Sequence, residues 1–326
     1  MLGEVALFLV GLLLLYFGAE AMVAGSSALA LAFGVKPLVV GLTVVAFGTS
    51  SPELLVCLTA AIEHTAATDA ISIGNIIGSN IANIALILGC ASLVRPIQVT
   101  EQAVKREYPM MLGASILLVL VIIFDAPDQV LSRLDGALLT SGMVGYLLYS
   151  YYTAIFDSGE EPDEQSPEEL EEADPDASPT WVQIVKITLG IAGLALGAFW
   201  MVESAVVIAH ALGVPELVIG ISIVALGTSL PELATSLIAA FRDESDISVG
   251  NVIGSNLFNI LLVLGLVSLI APITVKERVL DFDLWMMLGV SIGIWPILQS
   301  GKRISRLEGI GMLVVYTGYI VMLFLR

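Results

Sequence analysis

The chain has 326 residues, 57% hydrophobic and 13% charged, with a mean hydropathy of +0.94. Soluble domains carry about 25% charged residues, so this composition excludes an ordinary soluble protein and fits a polytopic membrane protein. The formal net charge is −18 and no basic stripe occurs, which leaves nucleic acid no surface to bind.

The N-terminal apolar run has no basic leader and no Ala-x-Ala cleavage site, and it continues past signal-peptide length. It reads as a retained transmembrane helix. A spanning helix needs about 20 mostly apolar residues. Ten segments meet this rule, at roughly 5–31, 37–62, 71–94, 108–125, 135–155, 181–208, 216–241, 247–270, 284–299 and 307–325. The expected fold is all-α and polytopic. Cys57 and Cys90 are too few for a disulfide framework or a metal cluster and read as small core side chains. His64 and His210 fall near segment ends and read as interfacial.

Eleven acids and no base lie between Asp157 and Asp176, in a stretch that also holds Pro162, Pro167, Pro175 and Pro179. Such a run cannot bury a core and reads as a flexible, solvated connector. It divides the chain into a first repeat (1–156), an acidic linker (157–180) and a second repeat (181–326), with five spans on each side.

The two halves repeat. Gly41, Ala46, Gly48, Thr49, Ser50, Pro52 and Glu53 map onto Gly220, Ala225, Gly227, Thr228, Ser229, Pro231 and Glu232. Gly74-Asn75-Ile76-Ile77-Gly78-Ser79-Asn80-Ile81-Ala82-Asn83 aligns with Gly250-Asn251-Val252-Ile253-Gly254-Ser255-Asn256-Leu257-Phe258-Asn259. Because each half has an odd number of spans, the second must enter the membrane in the opposite sense. Inverted repeats with interrupted apolar segments at matching positions point to a secondary transporter with a midplane site. Glu20 and Glu203 are not equivalent across the repeat and read as packing or interface residues.

Basic residues set the orientation. With the N-terminus outside, the inner connectors hold Lys36, Arg95, Lys105, Arg106, Lys186, Arg242, Lys302, Arg303 and Arg306. The outer side holds Arg133, Lys276, Arg278 and Arg326. Both termini are therefore expected outside and the acidic linker in the cytoplasm.

Glu53 and Glu232 carry the chemistry. A charge at the bilayer centre costs about 2.5–3.5 kcal/mol on insertion scales, so an intramembrane acid marks a functional site by default. Pro52 and Pro231 precede them and should break each helix, freeing carbonyl oxygens beside the acid. On the third span Asn75, Ser79 and Asn83 share one face, and Gly74 and Gly78 allow close backbone approach. Asn251, Ser255, Asn259, Gly250 and Gly254 repeat this on the eighth span. All these candidate ligands are oxygens, the choice of hard cations such as Ca²⁺. One Ca²⁺ or two Na⁺ would balance the two carboxylates, which is a basis for exchange.

A single glycine face with Ser and Asn would be ordinary helix-packing glue. Asn75, Asn80, Asn251 and Asn256 are candidates for that role. Two copies in register, each beside a Pro-Glu break, point beyond glue. A hydrolase lacks both a core histidine and a nucleophile elbow. A passive channel and an H⁺-coupled or K⁺-linked antiporter are the remaining alternatives.

Gly-Thr-Ser-x-Pro-Glu paired with Gly-Asn-x-x-Gly-Ser-Asn, twice, resembles the sodium/calcium exchanger family of the calcium/cation antiporter superfamily. The resemblance covers about residues 37–96 and 215–272 and extends to the whole ten-span layout. It implies an antiporter, not an enzyme, in the plasma membrane. Na⁺ and Ca²⁺ would be its transported ions, with no prosthetic group and no obligate protein partner. It further implies four ion sites in a central diamond. Glu53 and Glu232 would bridge them, and Thr49, Thr228, Ser50, Ser229 and the carbonyls of Ala46 and Ala225 would line them. Ser79, Asn83, Ser255 and Asn259 would complete them. The first and sixth spans would slide against the core during alternating access. Many relatives have Asp where this chain has Asn259, so its site is one carboxylate poorer, which weakens the case for K⁺ co-transport.

Overall fold

A computed structural model describes residues 2–63, 66–124, 130–156, 179–213, 225–275 and 279–325. Most of the acidic linker, and His64, lie outside the described residues. Helix occupies the described part of each of the ten expected spans. By length and apolar character seven described helices could cross a membrane, and a bent pair makes an eighth.

In chain order the helices are α1 (Leu2–Phe33), α2 (Pro37–Thr49), α3 (Ser51–Glu63), α4 (Ser72–Val94), α5 (Ala103–Phe124) and α6 (Arg133–Phe156). The second half supplies α7 (Thr180–Ala211), α8 (Leu230–Phe241), α9 (Ser245–Ile270), α10 (Asp281–Gly301) and α11 (Arg306–Leu325). A short turn, Ala225–Gly227, precedes α8.

The core is built on α4 and α9. In each, 78% of the central apolar window is buried, against 28% in α1 and 22% in α7. Composition explains the difference. The faces of α4 and α9 carry Gly, Ser and Asn, which suit a protein interior. By contrast α1 and α7 show Leu, Val and Phe to the surroundings, as lipid requires.

Glycines set the seam between α1 and α7. A Cβ on Gly11 would lie 2.8 Å from the Gly197 oxygen, one on Gly18 2.8 Å from the Leu194 nitrogen, and one on Gly25 3.1 Å from the Gln183 oxygen. Contacts run up one helix and down the other, so the pair is antiparallel and backbone-close along its length. Each helix has 32 residues, about 48 Å at 1.5 Å per residue. That exceeds the ~30 Å hydrocarbon layer, so both must tilt or project from it.

Two small clasps join the halves. Strand β1 (Ile97–Gln98) pairs antiparallel with β4 (Arg303–Ile304), and β2 (Val130–Leu131) with β3 (Ile273–Thr274). Each two-stranded piece thus takes one strand from each repeat. Ser-Arg-Leu-Asp-Gly at 132–136 and Ser-Arg-Leu-Glu-Gly at 305–309 follow β2 and β4. Ser132 and Ser305 give their amide and hydroxyl protons to Asp135 and Glu308 at 2.5–2.8 Å, capping α6 and α11. Arg133 reaches the Ile270 carbonyl at 3.4 Å and Arg306 the Val94 carbonyl at 3.3 Å. Each arginine therefore closes the C-terminal end of a core helix from the opposite half, where a cation also meets the negative end of the helix dipole.

Candidate cation site

Both glutamates lie in the first turn of a helix that restarts after a break. The break falls at Ser50 (φ −83°, ψ 3°) and Ser229 (φ −86°, ψ 2°), the same geometry in both halves. Across the first break α2 and α3 are bent by 44°. The break precedes each proline by two residues instead of falling on it. Proline is tolerated in a first helical turn, where its missing N–H has no intrahelical partner to lose, so the new helix starts before Pro52. Each acid then sits at a helix N-terminus, whose positive dipole end stabilises its charge.

The freed carbonyls are partly taken. The Ala46 carbonyl accepts the Ser50 amide at 3.0 Å and the Thr49 hydroxyl at 3.3 Å. Ser51 donates its hydroxyl to the Phe47 carbonyl at 2.7 Å. Ala225 opens the turn before the second break, and its side chain lies outside the described residues.

Glu53 is 0% and Glu232 1% exposed. Each carboxylate is flanked by hydroxyls, Glu53 by Thr228 and Ser79, and Glu232 by Ser50 and Thr49. Every flanking residue except Ser79 comes from the opposite half. Ser50 donates to Glu232 Oε1 at 3.1 Å, while among the described residues no hydrogen bond of ordinary geometry reaches either Glu53 oxygen or Glu232 Oε2. Among the described residues, no ion pair involves either acid.

The remaining polar groups bond between the repeats, with the Thr–Asn and Asn–Asn contacts equivalent in the two halves and the Ser contacts not. Thr49 donates to Asn251 Oδ1 at 3.0 Å, and Thr228 donates to Asn75 Oδ1 at 3.1 Å. Ser255 lies 3.3 Å from the Thr49 hydroxyl, and Ser229 donates to Ser79 at 3.2 Å. Asn83 donates to Asn256 at 2.9 Å and Asn259 to Asn80 at 3.0 Å. Among the described residues, Asn83 Oδ1 and Asn259 Oδ1 receive no donor. Among the described residues, five buried acceptor oxygens, on Glu53, Glu232, Asn83 and Asn259, therefore take no hydrogen bond. A buried acceptor left so costs about 1–3 kcal/mol, more when charged. Cations would satisfy them.

Helix geometry contributes to this placement. The backbone widens into π-helical turns at Ala82–Ile87 and Phe258–Leu264, which contain Asn83 and Asn259. Such widenings recur at functional positions. Gly250 and Gly254 let α9 approach α2, where a Cβ on Gly254 would lie 2.5 Å from the Leu42 oxygen. Most of the segment matching α2 in the second half, residues 216–224, lies outside the described residues.

The family model for sodium/calcium exchanger proteins matches residues 3–152 and 182–325, nearly the whole chain. The chain belongs to the sodium/calcium exchanger family. Sodium/calcium exchanger MaX1 of Methanosarcina acetivorans is 32% identical over 98% of this chain and 97% of its own. Inner membrane protein YrbG of Escherichia coli is 38% identical over 99% of this chain and 96% of its own. The solved sodium/calcium exchanger of Methanococcus jannaschii superposes with a TM-score of 0.81, at 32% identity, over 98% of this chain and 97% of that one. The protein is thus a multi-pass membrane exchanger of cations and Ca²⁺, and not an enzyme. Na⁺ and Ca²⁺, the ions this exchanger family moves, are cargo, and it carries them without a prosthetic group.

Thr49, Ser50, Ser79 and Thr228 stand beside the acids, with Ser255 against Thr49 and Ser229 against Ser79, while Asn83 and Asn259 bond to Asn256 and Asn80. Asn75, Asn80, Asn251 and Asn256 bind other side chains across the helix interface, the role considered for them from sequence. Two side chains escaped the sequence reading. Asn256 donates to Met111 Sδ at 3.3 Å and Asn80 to Met287 Sδ at 3.8 Å. Their only signal was the repeated Met-Met-Leu-Gly at 110–113 and 286–289. Glu20 is paired with Arg242, which ties α1 to the end of α8.

Proposed function

We propose that this exchanger trades Na⁺ for Ca²⁺ by alternating access, with the cations held between Glu53 and Glu232 midway through the bilayer. The observation that carries the reading is a pair of buried carboxylates, flanked by hydroxyls, with no ion pair and with three of their four oxygens unbonded among the described residues. Hard cations bind such oxygen sets, and Ca²⁺ takes about 6–8 ligands of this kind. Hydroxyls of Thr49, Thr228, Ser50, Ser229, Ser79 and Ser255 are close enough to add to the shell, and the Ala46 and Ala225 carbonyls complete the candidate ligands.

Charge balance gives the exchange. One Ca²⁺ neutralises both acids, and so do two Na⁺, while an empty site leaves two charges facing a low dielectric. Only a neutralised site crosses readily between outward- and inward-facing states. The glycine-lined α1/α7 pair, with few residues buried, is the body that slides. Two asparagines, Asn83 and Asn259, leave the site with two fixed charges, which favours Na⁺ over K⁺-linked exchange.

Both termini are placed outside and the acidic linker (157–180) in the cytoplasm, between repeats 1–156 and 181–326. Support comes from the clustering of expected inner residues at one end. Arg95 bridges to Asp243 at 2.8 Å, Lys302 and Lys105 share Glu101, and Lys36 donates to Gln102 at 3.2 Å.

Purified protein in liposomes, with Na⁺, K⁺ and H⁺ gradients imposed one at a time, tests the reading. Ca²⁺ uptake should follow the opposed Na⁺ gradient alone. Uptake that follows a pH gradient and ignores Na⁺ would replace it with H⁺-coupled exchange.

A further inference from the structure

We propose that Met111 and Met287 are positioning residues, which act through Asn256 and Asn80 to fix the end of the Asn83 and Asn259 amides that faces the cations. The inference rests on the reading that Asn83 and Asn259 offer their oxygens to the cargo.

A carboxamide has two ends of nearly equal size. Its oxygen binds a cation, and its NH₂ end repels one. Asn83 and Asn259 are 1% and 0% exposed, so no solvent sorts the ends. Their Nδ2 groups donate to Asn256 Oδ1 at 2.9 Å and Asn80 Oδ1 at 3.0 Å, which turns both free oxygens away from those partners. Asn256 and Asn80 are carboxamides too, however, and could equally present their NH₂ ends. In that case both ligand amides would rotate and withdraw their oxygens.

The sulfurs remove this ambiguity. Asn256 Nδ2 faces Met111 Sδ at 3.3 Å, and Asn80 Nδ2 faces Met287 Sδ at 3.8 Å. A thioether accepts a hydrogen bond weakly and has no proton to give. The amide end that faces it must be NH₂, and the opposite end must be oxygen. Direction therefore passes from sulfur to asparagine to ligand asparagine. The same three-residue chain occurs twice, each copy crossing the repeats: Met111 and Asn83 with Asn256, Met287 and Asn259 with Asn80. Met111 is fully buried, where leucine would fill nearly the same volume, so packing alone gives no reason for sulfur.

Met111→Leu and Met287→Leu test the assignment. Ca²⁺ binding by calorimetry and Ca²⁺ half-saturation of Na⁺-driven uptake are read together with maximum rate. Each variant should weaken Ca²⁺ binding about five- to tenfold, the size of one net hydrogen bond, with maximum rate and thermal midpoint close to the parent. The decisive arm repeats each change on a ligand with no orientation to fix. In Asn83→Asp, Asn256 must turn its NH₂ toward the carboxylate and its oxygen toward Met111 Sδ. There Met111→Leu should be neutral or should tighten binding; Met287→Leu in Asn259→Asp is the second copy. Equal losses in both backgrounds, or unchanged affinity in the parent, would overturn the proposal. If neither Asp background binds Ca²⁺, the Leu variants decide alone. Weaker binding at unchanged maximum rate supports the relay, and a fall in rate and thermal midpoint together overturns it. Glu53→Gln separates the two layers: Ca²⁺ binding that survives it sinks the cation-site reading, whereas loss there with indifference to Met111→Leu sinks the relay alone.

Discussion

Gly254→Ala is a perturbation of one methyl group at the place where α9 crosses α2. The added Cβ would lie 2.5 Å from the Leu42 oxygen and 2.6 Å from the Ala46 Cβ. Ordinary contact is about 3.5 Å, so α2 must withdraw by about 1 Å. Thr49 is one turn beyond Ala46 on that helix. Its hydroxyl holds Asn251 at 3.0 Å and lies 3.3 Å from Ser255, and neither contact survives such a shift. Overpacking of this kind costs about 1–3 kcal/mol, or about 5- to 150-fold in affinity if the strain falls on the bound state. The assay is Ca²⁺ half-saturation of Na⁺-driven uptake in proteoliposomes. Gly113→Ala is the control, since a Cβ there meets nothing within 4 Å among the described residues. Affinity unchanged in both variants would refute the claim that close α2–α9 packing places Thr49.

Three further outcomes are expected. Gly18→Val forces a side chain into backbone 2.8 Å away on α7, and should lower the thermal midpoint in detergent and slow transport more than it changes Ca²⁺ affinity. Asp135→Asn weakens the cap that Ser132 makes at the start of α6; it should cost about 1 kcal/mol in denaturant unfolding, and no loss would remove this cap from the account. Lys105 and Lys302 hold the Glu101 carboxyl down to about 2. A folded-state value below the unfolded one stabilises above the unfolded value and is lost as pH falls through the folded one, so Glu101→Gln should destabilise near neutral pH and match the parent near pH 2.

The halves, the two acids and most of the oxygen set were legible because each is written twice in the sequence. A short motif repeated in register is visible without knowing where the chain goes. The strand clasps were not, because β1 meets β4 and β2 meets β3 only after the repeats interleave. Ser-Arg-Leu-Asp-Gly and Ser-Arg-Leu-Glu-Gly stood in the sequence, but nothing local says that each arginine closes a helix of the other half. The π-helical turns at Asn83 and Asn259 reflect which carbonyl an amide chooses, and residue composition does not record that choice. Pro52 and Pro231 marked the two breaks, and because proline suits a first helical turn each break falls just before it, at Ser50 and Ser229. Beyond their repeat, nothing in the sequence sets Met111 and Met287 apart from other apolar residues, and only the geometry aims Asn256 and Asn80 at their sulfurs.

The central claim is that Glu53 and Glu232 jointly hold the transported cations. Calorimetric titration of Ca²⁺ into the purified protein, Glu53→Gln and Glu232→Gln, with and without Na⁺, addresses it most directly. The parent should bind Ca²⁺ in competition with Na⁺. Each variant should keep its thermal midpoint and lose about 10³-fold or more in Ca²⁺ affinity, as removal of a unit charge at about 4 Å in a protein-like dielectric implies. Parent-like Ca²⁺ affinity in both variants would contradict the account.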